Sequence, residues 1–240
     1  MRVTLRPSPA KVLSVYLLGS VPLDDVLTWQ RRLVYDVGGE RAGGVLVLCE
    51  HPPMLSIGRH GSRAQVLADT ELAWPRRWVN RGGGVVYHGP GQLAVYALLP
   101  LDAWGLTVVE YVDALHEVIQ MALATLHLPT QRRPDAVGVW AQERLLAPVG
   151  IAVRDWVTSF GCVLNVCPNL DVYRPLRWST EPTMTSVQRE LRTPVRIPAV
   201  RAPFVEAFAQ RFAFTRTAVF HHHPALATRP LTHAFTARTG

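Results

Sequence analysis

Arg81-Gly82-Gly83-Gly84 and the nearby His88-Gly89-Pro90-Gly91-Gln92 place a guanidinium and an imidazole at the ends of one glycine-rich segment, separated by Val85, Val86 and Tyr87. Successive glycines let a backbone approach a ligand closely and adopt conformations closed to other residues. A proline between two glycines makes a fixed turn. Two readings fit these residues: a ligand-binding loop with Arg81 and His88 as its polar handles, or a hairpin turn with a structural histidine. The spacing is neither that of a phosphate P-loop nor that of a dinucleotide fingerprint.

Cys49, Cys162 and Cys167 are the only cysteines. A thiolate is a strong nucleophile when a nearby cation or base lowers its pKa. Cys49 ends an apolar run and reads as core. Cys162 and Cys167 are the candidate nucleophiles; the other reading makes both small buried hydrophobes. An odd, small number of cysteines gives no disulfide framework and points to a reducing cytoplasm. His221, His222 and His223 are consecutive. Consecutive histidines cannot converge on one ion in a regular strand or helix, so no metal is expected there, and no cofactor either.

These groups need elements to hold them. Strands are expected over Val12 to Leu18, Gly44 to Cys49, Arg76 to Asn80, Gln92 to Leu99, Gly138 to Ala141, Leu146 to Val153 and Val163 to Val166. Helices are expected over Asp24 to Val37, Thr107 to Leu126 and Val205 to Phe212. Gly38-Gly39 supplies the stop of the first helix. Thr107 and Glu110 form a capping box, followed by an apolar stripe of Val108, Val112, Leu115, Ile119 and Leu123. Interspersed strands and helices imply an α/β (α+β) class with a central mixed sheet flanked by helices. No composition break marks a second domain, so one domain is expected over 1–220, followed by a poorly ordered tail over 221–240.

Composition agrees with a globular fold: 48% hydrophobic and 18% charged residues. The net charge is +7, and Lys11 is the only lysine. A basic surface suits nucleic acid, an anionic membrane or an acidic protein, although a genome-wide composition bias would also produce it. No run approaches the ~18 apolar residues of a membrane span. The arginines are scattered and no nucleic-acid motif is present, which favours an acidic protein over nucleic acid or membrane.

Arg81 to Tyr96, RGGGVVYHGPGQLAVY, resembles the signature of the octanoyltransferase family of the biotin/lipoate protein ligase superfamily. Glu50-His51-Pro52-Pro53, Ile57-Gly58-Arg59, Gly138-Val139-Trp140, Gly150-Ile151-Ala152-Val153, Gly161 to Val166 and Thr185-Ser186-Val187 resemble further family segments, in family order. The resemblance implies the biotin/lipoate ligase catalytic core. It also implies transfer of octanoyl from acyl carrier protein to a lysine of a lipoyl domain, in 2-oxoacid dehydrogenases or the glycine cleavage H protein, by a cytoplasmic monomer.

The same resemblance exposes three departures. The family's lysine falls on Leu145, with Arg144 beside it but on the opposite face of a strand. Its cysteine falls in Pro175 to Trp178, which has none, and its histidine before G-x-x-L-N-V falls on Phe160. Arginine stays protonated and cannot replace lysine as a proton acceptor. Two readings follow: a transferase with impaired or altered catalysis, and a non-catalytic module that binds an acyl chain, a carrier protein or a lipoyl domain. An ATP-using lipoate ligase is a weaker third. Under each, Arg81 to His88, Pro148-Val149-Gly150 and Gly161-Cys162-Val163 are expected to converge on one substrate cleft.

Overall fold

The computed structural model describes residues 11–62, 74–133, 136–174 and 183–222. Its first half contains β1 (Val12–Ser20), α1 (Leu23–Glu40), β2 (Gly43–Glu50), β3 (Met54–Ile57), β4 (Arg76–Trp78), β5 (Val85–His88), β6 (Gln92–Leu98) and α2 (Val108–Ala124). The remainder contains β7 (Gln131–Arg133), β8 (Ala136–Ala141), β9 (Arg144–Ala147), β10 (Val149–Arg154), β11 (Val157–Asn165), α3 (Val187–Leu191), α4 (Ile197–Arg211) and β12 (Arg216–Phe220).

The central sheet has six strands in the order β10-β11-β6-β2-β1-β12. It is mixed, as expected: β1 runs parallel to β2 and β12, while β2-β6, β6-β11 and β11-β10 are antiparallel. The interior residues of β2 are all buried, as a continuous apolar run covered on both faces requires. One face packs under α2 and α4 through Leu13, Leu46, Val95, Leu115, Phe204 and Phe208; the other packs under α1 through Val26, Trp29, Leu33, Val47 and Tyr96. Two smaller sheets, β4-β3-β5 and β7-β8-β9, complete the fold.

The capping box forms: Thr107 Oγ1 accepts from the Glu110 N–H at 3.2 Å, and Glu110 Oε2 accepts from the Thr107 N–H at 2.8 Å. Leu115, Ile119 and Leu123 are buried, but Val108, at the helix start, is 41% exposed. α1 does not stop at Gly38-Gly39. Gly38 stays inside the helix, where a Cβ would sit tightly against Val157 Cγ2 at 3.3 Å. The stop is instead Arg41, whose left-handed φ of 50° lets its N–H return to Val37 O. The expected strand from Leu146 to Val153 is split at Pro148, which has no N–H to donate, so β9 and β10 enter different sheets. α4 starts eight residues earlier than expected, at Ile197, with Pro198 in its first turn and Val200 and Phe204 buried. β3, β5 and β12 were not expected as strands. The tail beyond His222 and Pro175 to Trp178 lie outside the described residues.

Candidate functional site

β3 and β5 pair antiparallel, Ser56 opposite Val86 and Met54 opposite His88. Strand alternation sends Leu55, Ile57, Val85 and Tyr87 to one side, where they pack with Trp140, Leu145, Tyr173 and Met184. It sends Ser56, Val86 and His88 to the other, where they line a narrow cavity of about 40 Å³. Arg81, Tyr96, Pro148, Val149, Gly150, Phe160, Gly161, Cys162 and Val163 line the same cavity. Of the candidate residues, Gly82, Gly83, Gly84, Val85 and Tyr87 are not part of its wall.

The glycines of the RGGG turn instead allow that wall to close. Gly83 has φ +81°, a conformation that favours glycine. Gly82 donates to Ile151 O at 2.8 Å, and a Cβ on Gly150 would meet Gly82 O at 2.6 Å. The turn therefore lies directly on β10, with backbone against backbone. Gly83 O and Gly84 O accept from His60 N–H and Gly58 N–H, tying the turn to the segment after β3.

Arg81 is buried, and among the described residues no carboxylate lines the cavity. Its guanidinium donates to Gly82 O at 2.9 Å, Ser56 O at 3.0 Å and Ser56 Oγ at 2.8 Å, all uncharged acceptors. Burial lowers its pKa to about 10, so it remains a cation at neutral pH. Ser56 has no other described acceptor for its own proton than His88 Nε2, 2.7 Å away. That assigns the imidazole proton to Nδ1, which is buried with no partner. Burial, with His51 and Arg81 nearby, holds the His88 pKa well below its usual value, so the ring is neutral.

A second pair stands behind this one. His51 Nδ1 donates to Val21 O at 2.6 Å, which leaves Nε2 to accept from the Tyr96 hydroxyl at 2.8 Å. Burial pushes His51 down to about 4 and Tyr96 well above its usual value, so both are neutral. Phe160, where the family has histidine, holds a φ of 61°, with its N–H bonded to Gln30 Oε1 at 2.8 Å.

Neither candidate nucleophile is poised to react. Cys162 pairs in register with Val95, packs in the core under α2 and α4, and is pushed up to about 12 by burial. Cys167 is half-buried and does not line the cavity; burial and the Glu50 carboxylate raise its pKa. Leu145 is buried in the apolar cluster around Trp140 and Met184. Arg144 turns the other way and is held by both Glu190 oxygens at 2.8 Å.

Ser56 and Tyr96 line the cavity, and the functional reading of the sequence did not single them out. The signal for Ser56 was the short Met54–Ile57 strand, obscured by the prolines before it. Among the described residues no His/Cys/Asp/Glu group is arranged to hold a metal, and no helix is long and apolar enough to cross a membrane.

The sequence and the fold both have relatives. The Lipoyl protein ligase A/B catalytic domain family matches residues 23–209. The octanoyltransferase of Syntrophotalea carbinolica is 36% identical over 80% of this chain and 90% of its own length. That of Geotalea uraniireducens is 34% identical over 77% and 86%. Among solved structures, a lipoate-protein ligase A bound with ATP superposes with a TM-score of 0.66 at 17% identity, covering 90% of each chain. The bi-partite lipoate protein ligase of Thermoplasma acidophilum gives 0.65 at 16%, covering 88% of this chain and 87% of its own.

Proposed function

Because this chain belongs to the lipoyl protein ligase A/B catalytic domain family, we propose that it is an octanoyltransferase of lipoate assembly with an altered route. It takes octanoyl from acyl carrier protein into the Arg81–His88 cavity and passes it to a lipoyl-domain lysine without a cysteine-bound intermediate. The observation that carries this reading is Arg81: a buried cation in a largely apolar cavity that no carboxylate lines among the described residues.

Such a cation is costly to bury unless a ligand uses it. Arg81 and the His88 Nδ1–H are two donors suited to the oxygen of an acyl carbonyl. Negative charge gathers on that oxygen as a nucleophile attacks, and fixed donors stabilise it. The lysine amine attacks the thioester carbon, a C–N bond forms, the C–S bond breaks, and the departing thiolate takes the proton the amine loses. Without the family's lysine and cysteine, help typically worth ~100- to 10,000-fold per acid–base group is absent and transfer is slow.

A second reading is favoured by Leu145: the protein holds the acyl chain and its carrier without turnover. Incubation with octanoyl-carrier protein and a lipoyl domain separates the two. Octanoyl mass on the lipoyl domain supports transfer; carrier binding without that mass supports the second reading. Absence of both contradicts each.

A further inference from the structure

Arg31 on α1, Arg77 and Trp78 on β4 and Arg154 at the end of β10 line an open groove of about 330 Å³, with no carboxylate lining it among the described residues. Val79 and Phe160 are walls of this groove and of the acyl cavity alike. We propose that this groove seats the phosphorylated arm of the octanoyl-carrier protein and leads its thioester to Arg81. The inference rests on the function proposed above.

The chemistry of the groove selects its occupant. All four named side chains are exposed. Arg31 bonds only the Thr28 hydroxyl, at 3.1 Å, and has no ion pair among the described residues. Arg77 and Arg154 pair with Asp24 at 2.9 Å and Asp155 at 3.5 Å, but both pairs are solvent-exposed and therefore weak. Arg31 and Arg154 also border the next depression along α1, whose far side carries Asp36, Glu40 and Asp155. Guanidinium groups bind phosphate oxygens through paired N–H donors. Val34 and Val153 give the groove apolar stretches between its arginines.

A lipoyl domain must present an ammonium, which three arginines repel. An acyl carrier presents an anionic phosphodiester between an acidic protein and the thioester, which they attract. Complementary charge of this kind mainly raises the rate of encounter and makes it salt-sensitive.

The test compares the wild-type chain with a double variant, Arg31→Glu with Arg154→Glu, and with the paired lysine variants at the same positions. Octanoyl-carrier protein, free octanoate and a lipoyl domain are the probes, measured by calorimetry at low and high salt. The expected result is a loss of at least about tenfold in carrier affinity for the glutamate variant. Octanoate affinity is unchanged, which also shows that the variant is folded, and the lysine variant stays close to wild type. Equal carrier binding by wild type and the glutamate variant overturns the groove assignment alone. So does a loss confined to the lipoyl domain. A wild-type chain that binds neither octanoate nor octanoyl-carrier overturns the function and the groove together.

Discussion

Ser56 Oγ lies 2.7 Å from His88 Nε2 and 2.8 Å from the Arg81 guanidinium, so one hydroxyl joins the two polar ends of the glycine-rich segment. Ser56 accepts from the cation and donates to the imidazole. The three residues thus form one hydrogen-bonded unit, and the proposed function assigns its remaining donors to the acyl carbonyl.

Replacing Arg81 tests that unit. Arg81→Gln removes a charged donor, and hydrogen bonds to charged groups contribute roughly 1.5–3 kcal/mol. Octanoate affinity is expected to fall by about tenfold or more on that basis. The urea midpoint should fall modestly, because Gly82 O, Ser56 O and Ser56 Oγ lose a buried donor. Equal octanoate binding by the variant would contradict the assignment.

The buried histidines set a pH dependence. Burial holds His51 at about 4 against its bond to Val21, and holds His116 at about 4 with Arg132 assisting. Both folded values lie below the unfolded value of ~6.5, so the unfolded chain binds protons first. Stability is therefore full above pH ~6.5, declines as pH falls toward ~4, and levels off below it. His51 alone accounts for about 3 kcal/mol of that loss. Urea midpoints measured at neutral and mildly acidic pH should show the decline, and His116→Gln should reduce it. A flat profile would contradict the burial of these rings as neutral groups.

Leu145 is 6% exposed and packed against Met184 and Trp140. Leu145→Lys would bury an ammonium there, at a cost of about 2–5 kcal/mol or a strongly lowered lysine pKa. Transfer should not recover, since Leu145 is packed among apolar side chains and does not line the cavity. A variant as stable as wild type that transfers octanoyl faster would show that the position remains part of the site.

Gly150→Ala places a methyl 2.6 Å from Gly82 O, where backbone rather than a flexible side chain must yield. The RGGG turn should lift from β10, with a stability loss of about 1–3 kcal/mol. Octanoate binding should weaken more than carrier docking on the exposed groove. Unchanged octanoate affinity would place the ligand elsewhere.

Much of this was legible in the sequence, because the informative residues act locally. Thr107 and Glu110 cap one helix turn, and the β2 run is continuous. The departures at Leu145 and Phe160 were visible through the family resemblance. What was not legible depends on contacts distant along the chain. The exposed strand β12 is held by pairing with β1 more than two hundred residues earlier, as Val12 faces Arg216. β5 reads as part of a loop until β3 lies beside it. Gly38 reads as a stop until Val157 fills the space above it. That Val86 faces the ligand cavity while Val85 does not follows from strand pairing, which a glycine-rich spacing conceals.

The central claim is transfer without a cysteine-bound intermediate. Cys162, pushed up to about 12, would be thiolate in roughly one molecule in ten thousand at pH 8. Cys49 is pushed higher by burial, and Cys167 is raised by burial and Glu50. The direct measurement mixes the protein with octanoyl-carrier protein and a lipoyl domain, quenches in acid at intervals and maps octanoyl by peptide mass spectrometry. The account predicts octanoyl accumulating slowly on the lipoyl-domain lysine and none on any cysteine peptide. An octanoyl thioester on Cys162 or Cys167 that forms first and then passes to the lipoyl-domain lysine would contradict it.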